Sequence, residues 1–445
     1  MMERLNGQEN RGLLQPGPRT GRVFVPSSKS QLHRLLIFSA LGKKPVQIGF
    51  QGLSGDIKAT AGCLNALGAK IEAVFDDPAR PLAGGTLIVD PLDRSAIREG
   101  AVLDCAESGS TLRFLLPIAG MLGASCLFLR RGRLPQRPLA PYDEQLRANG
   151  MQIREEGPDL KVSGRLQGGR YVLPGNISSQ YISGILMTMG GFRGQSFLQV
   201  EGNMESTHYV RMTEDMLQRA GISLHKEESL SAHGTPVTCW SAPGGQIYSM
   251  PPSVRAEGDW SAATFFLCMG ALSEEGVLVQ GLDPSSVQGD RAVLEVLRRF
   301  GAEVSVGEEG VFVVKDRLRG IELDAAQIPD AVPALAAVAA LCEGDTRIFN
   351  AGRLRLKESD RIRSTVSMIR ALGGAAEEGQ DSLTIHGRPS LEGGDVDSFG
   401  DHRIAMAAAV AACGCRGPVT VAEPACVAKS YPLFWDDLAQ LRLIR

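Results

Sequence analysis

The sequence predicts an α/β protein with two domains, each built from three copies of one repeated unit. Its 445 residues exceed the usual size of a single hydrophobic core and favour two domains of about 200 residues each. An apolar helix rich in small residues, followed by a strand, recurs six times along the chain. The copies are spaced by about 70 to 80 residues, and such regular spacing is the sequence signature of a repeat architecture.

The first helix of each copy is apolar on all sides. Alanine, leucine and glycine dominate it, and a helix with this composition buries its whole surface. We therefore expect the three first helices of each domain to form a shared core, with sheets packed outside them. The six copies of this helix and the following strand are residues 35–50, 114–129, 185–200, 265–282, 334–349 and 405–421.

A second, amphipathic helix comes later in each copy, and in five copies it ends at a glycine. Glycine readily adopts the left-handed conformation that commonly terminates a helix. Each complete copy then has the order β-α-β-α-β-β. The sixth copy stops inside its second helix, so we expect the N-terminal segment to supply the missing strand. The five glycines are Gly68, Gly150, Gly221, Gly301 and Gly373.

The repeat boundaries predict where the chain passes from one domain to the other. The crossings fall around Ser27 and around Glu257. Domain 1 then comprises residues 1–26 and 257–445, and domain 2 comprises residues 27–256. Because ligand sites are common at domain interfaces, we expect the active site in the cleft between the domains.

The charged residues favour a small anionic ligand. The net charge is −3, but 37 of the 47 basic residues are arginine and only ten are lysine. Arginine is the preferred side chain for two-point binding of carboxylate and phosphate groups. No block of five or more like charges is present, which argues against a nucleic-acid partner.

The cysteines argue against a metalloprotein, and the apolar segments argue against a membrane or secreted protein. The nine cysteines lack the spacing of a zinc site, so we expect buried, reduced thiols, no metal and no cofactor. No stretch of 18 apolar residues and no signal-peptide pattern is present, which predicts a cytoplasmic protein without a membrane partner. Five cysteines with apolar neighbours are Cys63, Cys105, Cys126, Cys268 and Cys342.

The first turns of the six first helices carry an unusual set of residues. Helix N-termini offer free N–H groups and a positive dipole end to an anion, so a cation there is unfavourable unless an anion joins it. Serine, aspartate and asparagine at these positions are also ordinary helix caps, and that simpler interpretation stands for each one alone. The cations at these starts are Lys29, Arg34, Arg113 and Arg403.

The segments before the second helices add further candidates. The basic run at 353–363 would ordinarily be a solvated helix face, but at the end of a repeat it favours a polyanion site. Asp330, Glu358 and Asp401 add carboxylates, which favours an acid–base enzyme for small phosphorylated or carboxylated substrates. The residues added by these segments are Arg137, Ser206, Lys357, Arg361 and Lys429.

Six motifs in register resemble the 5-enolpyruvylshikimate 3-phosphate synthase family, over about residues 25–438. The resemblance implies an inside-out α/β barrel in two domains and a monomer. It implies transfer of the enolpyruvyl group of phosphoenolpyruvate to the 5-hydroxyl of shikimate 3-phosphate. The motifs are SSKSQLHR (27–34), ESGSTLR (107–113), SSQ (178–180), LKESDRIR (356–363), GDHR (400–403) and AKSYP (428–432).

The resemblance also implies roles for individual residues. Asp330 would remove the hydroxyl proton, and Glu358, assisted by Lys29, would deliver a proton to C3. Residues that would bind shikimate 3-phosphate are Lys29, Ser30, Arg34, Ser178, Ser179, Ser206, Asp330 and Lys357. Residues that would bind phosphoenolpyruvate are Lys29, Gly109, Arg137, Gln180, Arg361, Arg403 and Lys429.

Two positions depart from the family pattern, and two rival functions remain. Glu107 stands where asparagine is frequent, and Arg353 replaces another polar residue. The related transferase acting on UDP-N-acetylglucosamine carries an asparagine after its first lysine and a cysteine in a mobile loop. Here Ser30 follows the lysine, and residues 132–139 contain no cysteine. A relative that binds anions without catalysis is the other rival, and the presence of Asp330 and Glu358 argues against it.

Overall fold

The computed structural model describes residues 3–4, 10–77, 83–95, 97 and 99–444. The expectation that the N-terminus contains no signal peptide therefore concerns, in part, residues outside the described ranges. The chain divides into two compact units. Unit 1 consists of Met1–Ser28 with Glu257–Arg445, and unit 2 consists of Lys29–Ala256.

Helices and strands alternate through both units. The α-helices are α1 (Lys29–Ala40), α2 (Gly55–Leu67), α3 (Gly109–Leu122), α4 (Tyr142–Ala148), α5 (Ser179–Met189), α6 (Thr207–Arg219), α7 (Trp260–Ala271), α8 (Val293–Phe300), α9 (Val332–Ala339), α10 (Arg361–Ala371), α11 (His402–Ala412) and α12 (Phe434–Gln440). Short 3-10 helices span Leu134–Gln136, Gly289–Ala292, Pro329–Ala331, Gly352–Leu356 and Pro424–Lys429.

The strands are short and evenly spaced along the chain. They are β1 (Glu3–Arg4), β2 (Arg11–Leu14), β3 (Arg19–Phe24), β4 (Val46–Phe50), β5 (Lys70–Phe75), β6 (Gly85–Asp90), β7 (Ala101–Asp104), β8 (Cys126–Leu129), β9 (Gln152–Glu156), β10 (Asp159–Ser163), β11 (Arg170–Pro174), β12 (Ser196–Glu201), β13 (His225–Leu230), β14 (Pro236–Ala242), β15 (Ser253–Arg255), β16 (Val277–Gln280), β17 (Glu303–Gly307), β18 (Gly310–Val314), β19 (Glu322–Asp324), β20 (Asp345–Phe349), β21 (Ala375–Glu378), β22 (Ser382–His386), β23 (Gly394–Val396), β24 (Val419–Ala422) and β25 (Arg442–Leu443).

In the part of the chain that the structure describes, six sheets share one topology, which β7-β8-β10-β9 illustrates. The strands on either side of the first helix pair in parallel, and a hairpin adds two antiparallel strands. The β-α-β-α-β-β repeat predicted from the sequence is therefore confirmed. Unit 2 holds the sheets β15-β4-β6-β5, β7-β8-β10-β9 and β11-β12-β14-β13, and unit 1 holds β17-β18-β16-β3-β25, β19-β20-β22-β21 and β1-β2-β24-β23.

The N-terminus completes the sixth repeat with more than the single strand expected. Strands β1 and β2 form a hairpin, and β2 pairs antiparallel with β24. This hairpin takes the place that β9 and β10 take in the second repeat. The C-terminal strand β25 instead pairs with β3 at the edge of another sheet of unit 1.

Each unit contains one hydrophobic core, and the first helices lie at its centre. In unit 1, α7, α9 and α11 pack on one another, and α9 is buried along its whole length. In unit 2, α3 packs on α5, while α1 packs on α2 and α6. Full burial of a side chain such as Phe265 stabilises the fold by about 1.5–3 kcal/mol relative to exposure.

Local predictions about glycine and cysteine are also confirmed. All five glycines at the ends of second helices have positive φ angles, for example 116° at Gly68 and 106° at Gly301. The nine cysteines are free thiols, and the five with apolar neighbours are buried. Among the described residues, no helix combines the length and the apolar character needed to cross a bilayer.

Candidate active-site clusters

Strained backbone marks the junctions where strands lead into helices. Within the described part of the chain, five residues other than glycine adopt the left-handed conformation, with φ between 47° and 53°. Each such residue costs about 1–3 kcal/mol and persists only where surrounding contacts enforce it. Four of the repeats place a glycine with positive φ within three residues of the end of their second strand, at Gly52, Gly132, Gly202 and Gly281. The five strained residues are Ala106, Ser206, Asn350, Phe399 and Glu423.

Arg361 is the centre of the polar cluster in unit 1. Its side chain is about 1% exposed and donates hydrogen bonds to three carboxylates. The contacts are 2.7 Å to Asp330 Oδ1, 2.6 Å to Glu358 Oε2 and 2.8 Å to Asp401 Oδ2. Burial lowers the pKa of Arg361, but these three carboxylates outweigh burial and raise it. The guanidinium is therefore a permanent cation that holds the predicted acid and base in place.

The carboxylate of Asp330 lies close to three cationic side chains. Besides Arg361, its Oδ1 lies 3.3 Å from Lys357 Nζ, and its Oδ2 lies 3.7 Å from Arg403 Nη2. Burial raises the pKa of Asp330, but Arg403, Lys357 and Arg361 outweigh it and hold the pKa well below its ordinary value. Asp330 is thus an ionised carboxylate at neutral pH.

Lys357 is a partly buried amine with a perturbed pKa. Burial, together with the neighbouring Arg361 and Arg353, outweighs the attraction of Asp330 and lowers the pKa of Lys357 to about 8. Its charge therefore changes near physiological pH. Arg353, one of the two departures from the family pattern, acts here as a nearby positive charge.

Asp401 and Arg403 lie at the start of α11. Asp401 is fully buried and caps the helix by accepting from the Arg403 N–H at 2.9 Å. The Arg403 guanidinium donates to the Asp330 carbonyl and to Ser261 Oγ, both at 2.9 Å. The Arg403 cation at this helix start is therefore held by groups of the protein itself. It does not need an outside anion to be held in place.

Lys29 and Arg34, both on α1, have different environments in unit 2. Lys29 Nζ lies 2.8 Å from Asp56 Oδ2, so this helix-start cation also has an anionic partner within the chain. Arg34 is about 1% exposed and donates to neutral oxygens. Burial lowers the pKa of Arg34 to about 9. The acceptors of the Arg34 guanidinium are Ser30 O, Thr213 Oγ1, Ser183 Oγ and Tyr209 O.

The start of α3 brings several predicted residues together. Gln180 accepts from Arg113 Nη1 at 3.0 Å and donates to Ser110 Oγ at 2.9 Å. A Cβ atom at Gly109 would lie 2.5 Å from Arg113 Nη1 and 2.9 Å from Arg137 Nη1. A side chain at position 109 would therefore force the ends of Arg113 and Arg137 to move away from the start of α3.

The remaining predicted residues lie at or next to the ends of other helices. Ser178 caps α5 by accepting from the Gln180 N–H, and Ser179 is buried in the first turn. Ser206 precedes α6 in the left-handed conformation and is about 1% exposed. Lys429 is half-buried at the end of the short helix Pro424–Lys429 in unit 1.

Some residues of these clusters were missed by sequence reasoning. Asp56 contacts Lys29. Ser261 contacts Arg403, and Asp290 contacts Ser261. None stands in a motif that the sequence analysis singled out as charged or catalytic, although Ser261 lies in the first turn of a first helix. The partners are 27 to 142 residues apart, so no local pattern connects them.

Both units thus place cations, hydroxyls and carboxylates at the ends of strands and the starts of helices. Among the described residues, no group of three or more histidine, cysteine or acidic side chains is arranged to hold a metal ion. The fold and these clusters define a six-repeat α/β enzyme for small anionic substrates, equipped with acid–base groups.

Comparison with known proteins identifies the family. A model of EPSP synthase (3-phosphoshikimate 1-carboxyvinyltransferase) matches residues 14–438, so the chain belongs to this family. The 3-phosphoshikimate 1-carboxyvinyltransferase of Clostridium acetobutylicum is 39% identical over 95% of both chains. That of Clostridium kluyveri is 36% identical over 96% of both chains.

Solved structures agree in fold. The EPSP synthase of Acinetobacter baumannii matches 98% of this chain and 100% of its own, with a TM-score of 0.76 and 24% identity. The enolpyruvyl transferase NikO from Streptomyces tendae matches 98% of each chain, with a TM-score of 0.72 and 18% identity. The two-domain α/β fold expected from the sequence is therefore confirmed.

Proposed function

We propose that the two clusters bind the substrates and carry the chemistry of this family's reaction. The reaction transfers the enolpyruvyl group of phosphoenolpyruvate to the 5-hydroxyl of shikimate 3-phosphate and releases phosphate. In the addition step, the 5-oxygen bonds to C2 of phosphoenolpyruvate and C3 gains a proton. In the elimination step, C3 loses a proton and the C2–O bond to phosphate breaks. Each step therefore needs a base and an acid.

The observation that carries the proposal is the arrangement of Asp330, Glu358 and Lys357 around Arg361. Asp330 is ionised and ready to accept the proton of the 5-hydroxyl. Its three cationic neighbours make it a weak base in the free enzyme. Binding of anionic substrate groups to these cations would weaken their hold on Asp330 and raise its basicity.

Glu358 is our candidate for the proton transfer at C3, with Lys29 assisting. Its Oε2 accepts from Arg361 Nη2 at 2.6 Å, which fixes the carboxylate in one orientation. For addition, Glu358 would take a proton from solvent and then donate it to C3. Removal of the C3 proton during elimination then returns Glu358 to its protonated form.

Cationic and neutral donors account for substrate binding. Phosphate and carboxylate groups prefer the two-point donation that Arg137, Arg361 and Arg403 offer. The residues proposed for shikimate 3-phosphate are Lys29, Ser30, Arg34, Ser178, Ser179, Ser206, Asp330 and Lys357. Those proposed for phosphoenolpyruvate are Lys29, Gly109, Arg137, Gln180, Arg361, Arg403 and Lys429.

We further propose that the enzyme is a cytoplasmic monomer whose domains correspond to the two compact units. Light scattering during size-exclusion chromatography tests whether the protein is a monomer. A monomer elutes with the mass of 47.5 kDa, and twice that mass would contradict the proposal.

Phosphate release by the purified protein tests the function directly. The protein receives phosphoenolpyruvate with shikimate 3-phosphate, or with UDP-N-acetylglucosamine, in the presence of a chelator. We expect release only with shikimate 3-phosphate. Release only with the nucleotide sugar would assign the chain to the rival acceptor, and release with neither would leave a protein that binds without catalysis.

A further inference from the structure

The hydroxyl of Ser261 lies between an arginine and a carboxylate. Arg403 Nη2 is 2.9 Å from Ser261 Oγ, and Ser261 Oγ is 2.5 Å from Asp290 Oδ2. A guanidinium can only donate, so the serine oxygen accepts from Arg403. The serine proton is then directed to Asp290, and the hydrogen bonds run in one order from Arg403 through Ser261 to Asp290.

Three separate segments of unit 1 supply these groups. Ser261 lies in the first turn of α7, Asp290 in the short helix Gly289–Ala292 and Arg403 in the first turn of α11. Asp290 and Arg403 are 4% and 7% exposed. Ser261 is partly buried, and its contact to Asp290 is a charge-assisted hydrogen bond.

The charge of Asp290 supports this order. Burial and the nearby Asp330 raise the pKa of Asp290 to about 6, against the opposing influence of Arg403 and Ser261. Asp290 is therefore ionised at neutral pH and can only accept. The serine hydroxyl has one orientation under these conditions, and its lone pairs face Arg403.

The chain of bonds constrains a long side chain at two points. Arg403 Nη1 donates to the Asp330 carbonyl, and Nη2 donates to Ser261 and lies 3.7 Å from Asp330 Oδ2. The Ser261 bond is the shorter of the two Nη2 contacts, so its loss would increase the rotational freedom of the guanidinium, and substrate binding would have to restore that order.

We propose that Ser261 and Asp290 are positioning residues that hold the Arg403 guanidinium in its anion-binding orientation. This inference rests on the proposed role of Arg403 in binding phosphoenolpyruvate. It predicts that loss of Ser261 or Asp290 weakens phosphoenolpyruvate binding and spares shikimate 3-phosphate.

Steady-state kinetics of variants tests the proposal. Ser261→Ala is expected to raise KM for phosphoenolpyruvate about tenfold and to leave KM for shikimate 3-phosphate within about twofold. Asp290→Leu removes the acceptor and should act similarly. Ser261→Thr keeps the hydroxyl and should restore KM to within about threefold of wild type. Ser285→Ala, which removes an exposed hydroxyl bonded to Asp283 at 2.7 Å, is the control and should change neither KM.

A double-mutant cycle separates action through Arg403 from a general loss of stability. In the Arg403→Lys background, Ser261→Ala should add less than about twofold to KM for phosphoenolpyruvate. An equal rise in both KM values, or full additivity with Arg403→Lys, would overturn the proposal.

Failure of the proposed function would look different. A wild-type protein that releases no phosphate from the two substrates contradicts the function and leaves the positioning role open to a second measurement. That measurement is the same cycle on the free energy of unfolding, where Ser261→Ala and Arg403→Lys must be coupled. Additive effects on unfolding would overturn the positioning role regardless of activity.

Discussion

Arg361 in unit 1 and Arg34 in unit 2 are both about 1% exposed, yet their environments are opposite. Arg361 donates to three carboxylates, which raise its pKa. Arg34 donates to neutral hydroxyl and carbonyl oxygens, and burial lowers its pKa to about 9. The comparison teaches that buried arginines of one chain can serve different purposes. Arg361 orders acidic groups, whereas the hydrogen bonds of Arg34 join neutral groups of α1, α5 and α6.

Replacement of Arg361 is expected to cause the largest loss. Arg361→Met leaves Asp330, Glu358 and Asp401 without their central cation, and breaking a buried ion pair costs about 3–5 kcal/mol. Urea unfolding followed by circular dichroism measures the change. The control is Arg363→Met on the same helix, whose side chain is 68% exposed and which should change stability by less than about 0.5 kcal/mol. Equal effects of the two variants would refute the role given to Arg361.

Loss of the proposed base should affect turnover far more than binding. Asp330→Ala is expected to lower kcat on the order of a hundredfold or more, with shikimate 3-phosphate binding within about tenfold. Kinetics and equilibrium titration measure the two quantities. Asp324→Asn, at an exposed position at the end of β19 in the same unit, serves as the control and should retain wild-type kcat. If binding collapsed and turnover only followed it, Asp330 would be a ligand contact and not the base.

Replacement of Arg34 is expected to cost less stability than replacement of Arg361, because the hydrogen-bond acceptors of Arg34 are neutral. Arg34→Met should destabilise unit 2 by about 1–3 kcal/mol, less than Arg361→Met destabilises unit 1. The same urea experiment measures it. Arg219→Met, whose side chain is 54% exposed, is the matched control. A larger loss for Arg34→Met than for Arg361→Met would reverse our interpretation of the two environments.

The pKa of Lys357 leads us to expect that activity depends on pH. Above this pKa, kcat/KM should fall by about tenfold per pH unit. Its pKa of about 8 means that the ammonium form predominates below pH 8 and is lost as the pH rises. We therefore expect kcat/KM for shikimate 3-phosphate to fall above pH 8. Lys357→Arg keeps the charge at higher pH and should flatten this part of the profile. A fall that persists in Lys357→Arg would assign the titration to another group.

Much of the fold could be predicted because its signals are local. Each first helix overlaps the apolar segment predicted for it and begins two to six residues earlier, for example α1 at Lys29 and α11 at His402. Apolar composition, capping residues and C-terminal glycines act within a few residues of chain. The N-terminal hairpin was harder, since β2 pairs with β24 across the length of the chain.

The candidate site was predictable only in part. Motifs located Lys357, Arg361 and Arg403, but the partners that define their chemistry are distant in sequence. Ser261, for example, contacts Arg403 across 142 residues. The strained backbone at Ala106 and Glu423 also escaped notice, since neither residue type favours a positive φ angle as glycine does.

The repeat, the buried first helices and the set of residues that could bind an anion can all be read from the sequence alone. These features follow from periodicity and residue type, which are properties of short segments. That Arg361 contacts Asp330 and Asp401, while Arg34 contacts neutral oxygens, depends on the folded chain. Charge compensation depends on distances of a few ångströms between groups brought together by folding, and no local pattern records those distances.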